Sequence, residues 1–336
     1  MDSAQLLALI EALRGRTVAV VGDVVADEFV YGHVARVSRE APVLILEYDS
    51  SEIVAGGGGN AANNVAALGG RALLASVIGR DESGRRLLAS LHSGVNQRRI
   101  IRSTARSTAV KTRILAGGIH SAKQQVVRID RGVGQPFDAA TRAAFERSAL
   151  DAAAAADALL VSDYGSGLVT PALVNKLRAA LRRAAHPIPM LVDSRYRLLD
   201  YHGLTACTPN ESEVEQALGI TINDDGRELE RAGRQVLART RMEAVLITRG
   251  SRGMALFVRS QPTVHIPIFG SDEIADVTGA GDTVMATMAL GLAAGARFEA
   301  AAHLANYAGG LVVMKRGTAS VSADELRSAI RSERSQ

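Results

Sequence analysis

Short β-branched apolar runs punctuate the chain. The first, "TVAVVGD" (Thr17 to Asp23), has the pattern of a buried parallel strand whose C-terminal end opens into a loop. Similar runs recur at "ALLASVIG", "DALLVSD", "IPMLVD" and "EAVLITRG", and several are separated by helical stretches at Ala139 to Ala156, Pro171 to Ala185 and Arg227 to Arg241. Strand and helix in alternation predict an α/β fold with three α/β/α layers, a mainly parallel central sheet carrying helices on both faces. Ahead of the first run, Leu6, Leu9, Ile10 and Leu13 fall at helical spacing and predict an amphipathic helix.

Two segments break the rhythm. Residues 28–54 and 98–131 alternate apolar and polar positions, as in "VLILEY", "TAVKTRIL" and "QQVVRID", without intervening helices. They predict a small antiparallel β lid projecting over a crevice at the C-terminal ends of the parallel strands, where α/β sheets bind ligands. No repeat or linker divides residues 1–336, so the expectation is a single domain.

Composition narrows the partners. The net charge of +4 comes from 39 basic and 35 acidic residues with no block of five or more Lys/Arg. That argues against a nucleic-acid surface and suits an anionic small molecule. The single cysteine, Cys207, permits neither an intramolecular disulfide nor a thiolate zinc cluster, which suggests a reducing compartment. The apolar run from Met285 to Ala296 is shorter than the roughly 20 residues of a membrane span. A cytoplasmic protein that uses no membrane is expected.

Three glycine-rich stretches are candidates for chemistry. "AGGGGNAANNVAALGG" contains G-x-G-x-x-A (Gly57, Gly59, Ala62), followed by a strand and Asp81. One reading is a dinucleotide fingerprint of an NAD-dependent oxidoreductase; tight packing of a helix on a sheet gives the same row of small residues. "GRDESGRR" (Gly79 to Arg86) has P-loop glycine spacing, but Arg85 and Arg86 stand where Lys and Ser/Thr are required, and the reading fails. "DVTGAGDT" (Asp276 to Thr283) precedes an apolar helix. Thr278, Gly279, Ala280 and Gly281 would present unpaired N–H groups at its positive end. Asp282 either caps that helix or lies in its first turn as a general base beside a bound phosphate.

"GGGGNAANNVAALG", "TPNESE", "ITRGSRG" and "DVTGAGDT", in this order along the chain, resemble the ribokinase-like (PfkB) carbohydrate kinases over nearly the whole chain. Within that family, "VVGDVVADEFVYGHVARVSREAPV" and "QQVVRID" look most like the D-glycero-β-D-manno-heptose-7-phosphate kinases of ADP-heptose biosynthesis.

The resemblance implies an ATP-dependent kinase and assigns roles. Asp282 matches the base, and Gly279, Ala280 and Gly281 the anion hole for the transferred phosphoryl. Asn210 and Glu213 match the N-x-x-E motif that organises Mg²⁺ and the nucleotide phosphates, with Glu213 acting indirectly on the metal. Thr248, Gly250, Gly253 and Asn306 match the nucleotide site, and Asp276 and Thr278 a K⁺ site. Asp23, Asp27, Gly57, Gly58 and Asn60 match the sugar site. Lys111, Arg113 and Arg128, on lid strands, are candidates for a phosphate already on the acceptor. The chain departs from the heptose kinase pattern at Ser166, where that pattern has lysine, and at Asp193-Ser194-Arg195, where it has "DPK". These departures bear on the acceptor and leave the phosphoryl-transfer residues intact. Open lid edges suggest a homodimer.

Overall fold

The computed structural model describes residues 2–117, 123–183, 187–223, 226–270, 277–315 and 317–333. In chain order its elements are α1 (Ser3–Leu13), β1 (Thr17–Gly22), β2 (Val24–Val37), β3 (Leu44–Gly57), α2 (Gly58–Ala67), β4 (Arg71–Gly79), α3 (Glu82–Ala89), β5 (Val95–Ser103), β6 (Val110–Gly117) and β7 (Gln124–Arg131). There follow α4 (Ala139–Ala154), β8 (Ala158–Asp163), α5 (Pro171–Arg182), β9 (Met190–Ser194), β10 (Ala206–Cys207), α6 (Glu211–Leu218), α7 (Gly226–Thr240), β11 (Ala244–Thr248), β12 (Met254–Val258) and β13 (Val264–Ile266). Helices α8 (Ala280–Ala293), α9 (Phe298–Val313) and α10 (Ala323–Glu333) end the described chain.

Every apolar run read as a strand enters one nine-stranded sheet, in the order β13-β12-β11-β10-β9-β8-β1-β4-β5. From β11 to β5 all neighbours are parallel; β12 and β13 add antiparallel strands at one edge. Successive residues of β1 serve opposite faces: Val18 and Val20 join the core under α1, α2, α8, α9 and α10, while Ala19 and Val21 join the core under α4, α5, α6 and α7. A strand buried on both faces gains from apolar residues at every position, and β1 carries a continuous run rather than an alternation.

The lid is a four-stranded sheet ordered β3-β2-β6-β7, and it differs from expectation in two ways. Its central pair, β2 and β6, is parallel, while the flanking pairs are antiparallel. The chain returns from β3 to β6 through α2, β4, α3 and β5, and a crossover of that kind can bring a strand back in the same direction. The segment from residue 98 also starts too early, because Val95–Ser103 is the edge strand of the large sheet, paired parallel with β4. An edge strand is covered on fewer sides, so its mixed polar and apolar, half-buried residues read like a lid strand.

Candidate active site

The large sheet has a topological switch point at β1. The chain runs from β1 outward to β4 and β5, then resumes on the other side at β8, leaving a crevice beyond the carboxyl ends of β1 and β8. Asp23 follows β1 and Tyr164 follows β8, so both stand at this crevice. The Asp23 carboxylate accepts from the Tyr164 amide at 2.8 Å and the Ser166 hydroxyl at 2.5 Å. Burial nevertheless holds its pKa above the usual carboxylate value. The lid hairpin is inserted between Asp23 and α2, and its return point is Gly57, at φ +58°. A Cβ there would lie 2.9 Å from the Asp23 carbonyl and 3.3 Å from the Tyr164 ring, while the Gly58 amide donates to that carbonyl at 2.8 Å. Only glycine suits both the dihedral and the space.

The role of Asp282 is decided by its partners. Gly279, in the left-handed region at φ +79°, is the N-cap of α8, and Asp282 lies in the first turn without capping its own helix. Its carboxylate accepts instead from Asn60 Nδ2 at 2.9 Å and from the Tyr164 hydroxyl at 3.0 Å. Burial raises its pKa to about 7, the two donors and Lys111 opposing that rise and Asp27 adding to it. Ala280 is not an open donor, since its amide bonds to the Val277 carbonyl at 3.3 Å. The first helical bond runs from the Thr283 amide to Gly279, so the amides of Gly281 and Asp282 precede the ladder at the positive end of α8.

The lid contributes one charged face. Asp27 pairs in register with Lys111, and Lys111 with Asp130; Phe29 pairs with Arg113, and Arg113 with Arg128. Cross-strand partners project to the same side of a sheet, so Lys111, Arg113 and Arg128 share a face with two carboxylates. Arg113 holds Asp27 at 2.5 Å, Arg128 holds Asp130 at 2.9 Å, and Lys111 Nζ sits 5.4 Å from the Tyr164 ring centroid. Burial lowers the Lys111 pKa.

On the other side of Asp282 lies a cavity of about 440 Å³. Asn210, Glu213, Thr248, Gly250, Gly253, Gly279, Ala280, Gly281, Asp282 and Asn306 all line it, drawn together from α6, β11, α8, α9 and the loops beside them. Asn210 and Glu213 also form a reciprocal capping box at α6, each side chain accepting from the other's amide at 2.9 Å. Structural capping and cavity lining therefore coexist in the same pair. Asn306 is fixed by donating to the Pro267 carbonyl at 2.8 Å.

Tyr164, Asp193 and Arg195 also line this cavity; the sequence marked Asp193 and Arg195 only as part of a departure bearing on the acceptor, and gave Tyr164 no role. They lie just beyond the carboxyl end of β8 and at that of β9, which the switch-point rule marks once strand order is known. Burial and the charges of Asp282 and Glu213 push Asp193 well above the usual carboxylate range. Two expectations change. Asp81 is the N-cap of α3, its oxygens accepting from Gly84 and Thr108, and Gly57 ends a lid strand rather than a strand of the parallel sheet. The dinucleotide fingerprint of Gly57, Gly59, Ala62 and Asp81 is thereby lost. Asp276 lies outside the described residues; Thr278, its proposed companion, stands next to the N-cap Gly279.

The donor set suits a nucleotide with a hard divalent cation. The Thr208 hydroxyl, on the cavity wall, is buried without a hydrogen-bond partner. Burial keeps Glu213 and Asp193 above their ordinary carboxylate values, a condition that a nearby cation would relieve. Among the described residues no group of three or more His, Cys, Asp or Glu could hold a metal alone. Mg²⁺ is commonly held in just this way, by one or two carboxylates plus substrate phosphates.

A model of the pfkB family of carbohydrate kinases matches residues 16–325. The chain is 43% identical to the "Bifunctional protein HldE" of Caulobacter vibrioides over 97% of its own length, and 40% identical to that of Geobacter metallireducens, again over 97%. It spans 65% of the length of each of these relatives. Among solved structures, Arabidopsis thaliana ribokinase complexed with ribose and ATP superposes with a TM-score of 0.72 at 18% identity, covering 95% of this chain and 99% of that one. Escherichia coli phosphofructokinase-2 in complex with fructose-6-phosphate gives 0.74 at 17% identity, with the same coverage. These structures show the same fold.

Proposed function

This chain belongs to the pfkB family of carbohydrate kinases, and from that premise we propose that it transfers the γ-phosphoryl group of Mg·ATP to a sugar hydroxyl, with Asp282 as general base. The observation that carries the reading is the placement of Asp282: a buried carboxylate with a pKa near 7, lining the 440 Å³ cavity and bonded to Asn60 beside the glycine loop. Asp282 accepts the proton as the hydroxyl attacks, and the amides at the start of α8 stabilise charge on the phosphoryl oxygens. Asn210 and Glu213 would help hold Mg²⁺, which neutralises phosphate charge when bound. Asp23, Asp27, Gly57, Gly58 and Asn60 orient the acceptor, and the lid excludes water so that transfer goes to sugar.

The acceptor proposed is D-glycero-D-manno-heptose 7-phosphate, phosphorylated on its anomeric hydroxyl to the 1,7-bisphosphate. The family resemblance supports it, and the shared lid face of Lys111, Arg113 and Arg128 suits an acceptor that already carries phosphate. Ser166 favours a second reading, a kinase for another sugar phosphate, because its hydroxyl bonds Asp23 where the heptose pattern has a lysine. Turnover of Mg·ATP against heptose 7-phosphate, fructose phosphates, ribose and nucleosides separates the two. Tight NADH binding without ATP binding would contradict both.

The pH dependence has a defined sign. Asp282 works ionised and its pKa is raised to about 7, so kcat/KM should fall as pH drops through about 7. A profile flat down to pH 5 would contradict the assignment. The K⁺ site at Asp276 and Thr278 is tested by replacing K⁺ with Na⁺ at constant ionic strength. ATP dependence fits a cytoplasmic enzyme; among the described residues no helix is long and apolar enough to cross a membrane. A lid-mediated homodimer is supported by Tyr48, Val127 and Ile129, exposed on the outer strands β3 and β7. A native mass of two chains is expected, and a mass of one chain would remove the dimer.

A further inference from the structure

Both carboxylate oxygens of Asp282 are engaged before any substrate arrives. Asn60 donates to Oδ2 and the Tyr164 phenol to Oδ1. We infer that Tyr164 is the positioning residue of the base: its hydroxyl fixes the Asp282 carboxylate in orientation and keeps it ionised, while its ring seats the acceptor loop and a lid cation against it. The inference rests on Asp282 being the base.

Four contacts converge on this one side chain and its backbone. The amide of Tyr164 donates to Asp23, its ring leaves room for no more than a glycine at residue 57, Lys111 Nζ stands 5.4 Å from the ring centroid, and the hydroxyl reaches Asp282. A tyrosine here therefore touches the acceptor acid, the glycine loop, the lid and the base at once. An O–H donor favours the charged form of a carboxylate. The phenol stays a donor at every working pH, because burial and the charges of Asp282, Asp193 and Asp27 hold its own pKa well above the ordinary value.

The other groups facing Asp282 are Asn60 on α2, Asp27 on β2, Lys111 on β6 and Asp193 on β9. Asn60 and Lys111 favour the ionised carboxylate, as the phenol does, whereas Asp27 opposes it; the Asp282 charge in turn raises Asp193. Without the phenol the balance tips toward the protonated, inactive form.

The test is the pH profile of kcat/KM for the acceptor in wild type, Tyr164→Phe and Asp282→Asn. Tyr164→Phe keeps the ring and removes one donor, so the acid limb should move up by about one pH unit. Activity should then be about five-fold lower at pH 7 and close to wild type at pH 9. A uniform loss at every pH, with the limb unmoved, would mean that Tyr164 only packs and would overturn the inference. Site-specific 3-fluorotyrosine at residue 164 makes the phenol a stronger donor with little change in shape. Its limb should move below that of wild type, and an unmoved limb contradicts the proposal. In Asp282→Asn the residual activity should lose the limb altogether; a limb that persists belongs to another group and defeats the base assignment, not merely the role of Tyr164.

Discussion

Asp282→Asn should lower kcat by about 10²- to 10⁴-fold, the range expected when a positioned base is removed, while ATP affinity changes little. The substitution is close in shape. Its amide oxygen can still accept from Asn60, and its amide nitrogen can donate to the Tyr164 oxygen, which is free to accept. The local network therefore survives, and the loss can be attributed to chemistry. ATP binding by calorimetry beside single-turnover kinetics checks both halves, and a variant retaining a third of wild-type turnover would refute the base.

Gly279→Ala should be the second most damaging change, lowering kcat by about 10- to 100-fold with the fold retained. The residue sits at φ +79°, where a Cβ costs on the order of 1 kcal/mol. That Cβ would also lie 2.5 Å from Asn60 Nδ2. Asn60 cannot simply swing away, because it is tied to the Gly279 carbonyl at 3.2 Å, to Asp282 and to the Asn64 side chain. Relief of the clash displaces either the start of α8 or the donor that holds the base. Circular dichroism and thermal melting should show a folded protein destabilised by about 1–2 kcal/mol; unchanged kcat would mean that the α8 N-terminus is not part of the anion hole.

Much of the architecture can be read from the chain because it depends on local pattern. The β1 run is apolar at consecutive positions as a doubly covered strand must be, and the helices at Ala139, Pro171 and Arg227 begin within one residue of their observed starts. The lid was legible as a departure from that pattern. Its pairing was not, because the mixed polar and apolar residues of Val95–Ser103 do not say which sheet the strand joins. Periodicity likewise carries no direction, so the parallel β2–β6 pair needed the crossover to be seen.

The site divides along the same line. The residues "DVTGAGDT" allow Asp282 to be a cap or a base, and the choice is made by Asn60, 222 positions away, and by Tyr164, 118 positions away. Those distances in sequence exceed any local motif. Tyr164 was missed because "SDYGSG" carries no recognisable spacing for catalysis; what marks it is its place after β8, beside the strand where the sheet order reverses. Asn210 and Glu213 show the converse: the resemblance assigned them to the nucleotide site, and the capping box they also form came only with the structure.

The reaction proposed is phosphoryl transfer from Mg·ATP to the anomeric hydroxyl of heptose 7-phosphate. Its most direct test is ³¹P and ¹H NMR of the product formed by the purified protein from those two substrates. ADP is expected together with a sugar that carries a second phosphate, its anomeric proton coupled to phosphorus. ADP with only inorganic phosphate, a new phosphate on any other hydroxyl, or unchanged heptose 7-phosphate would contradict it.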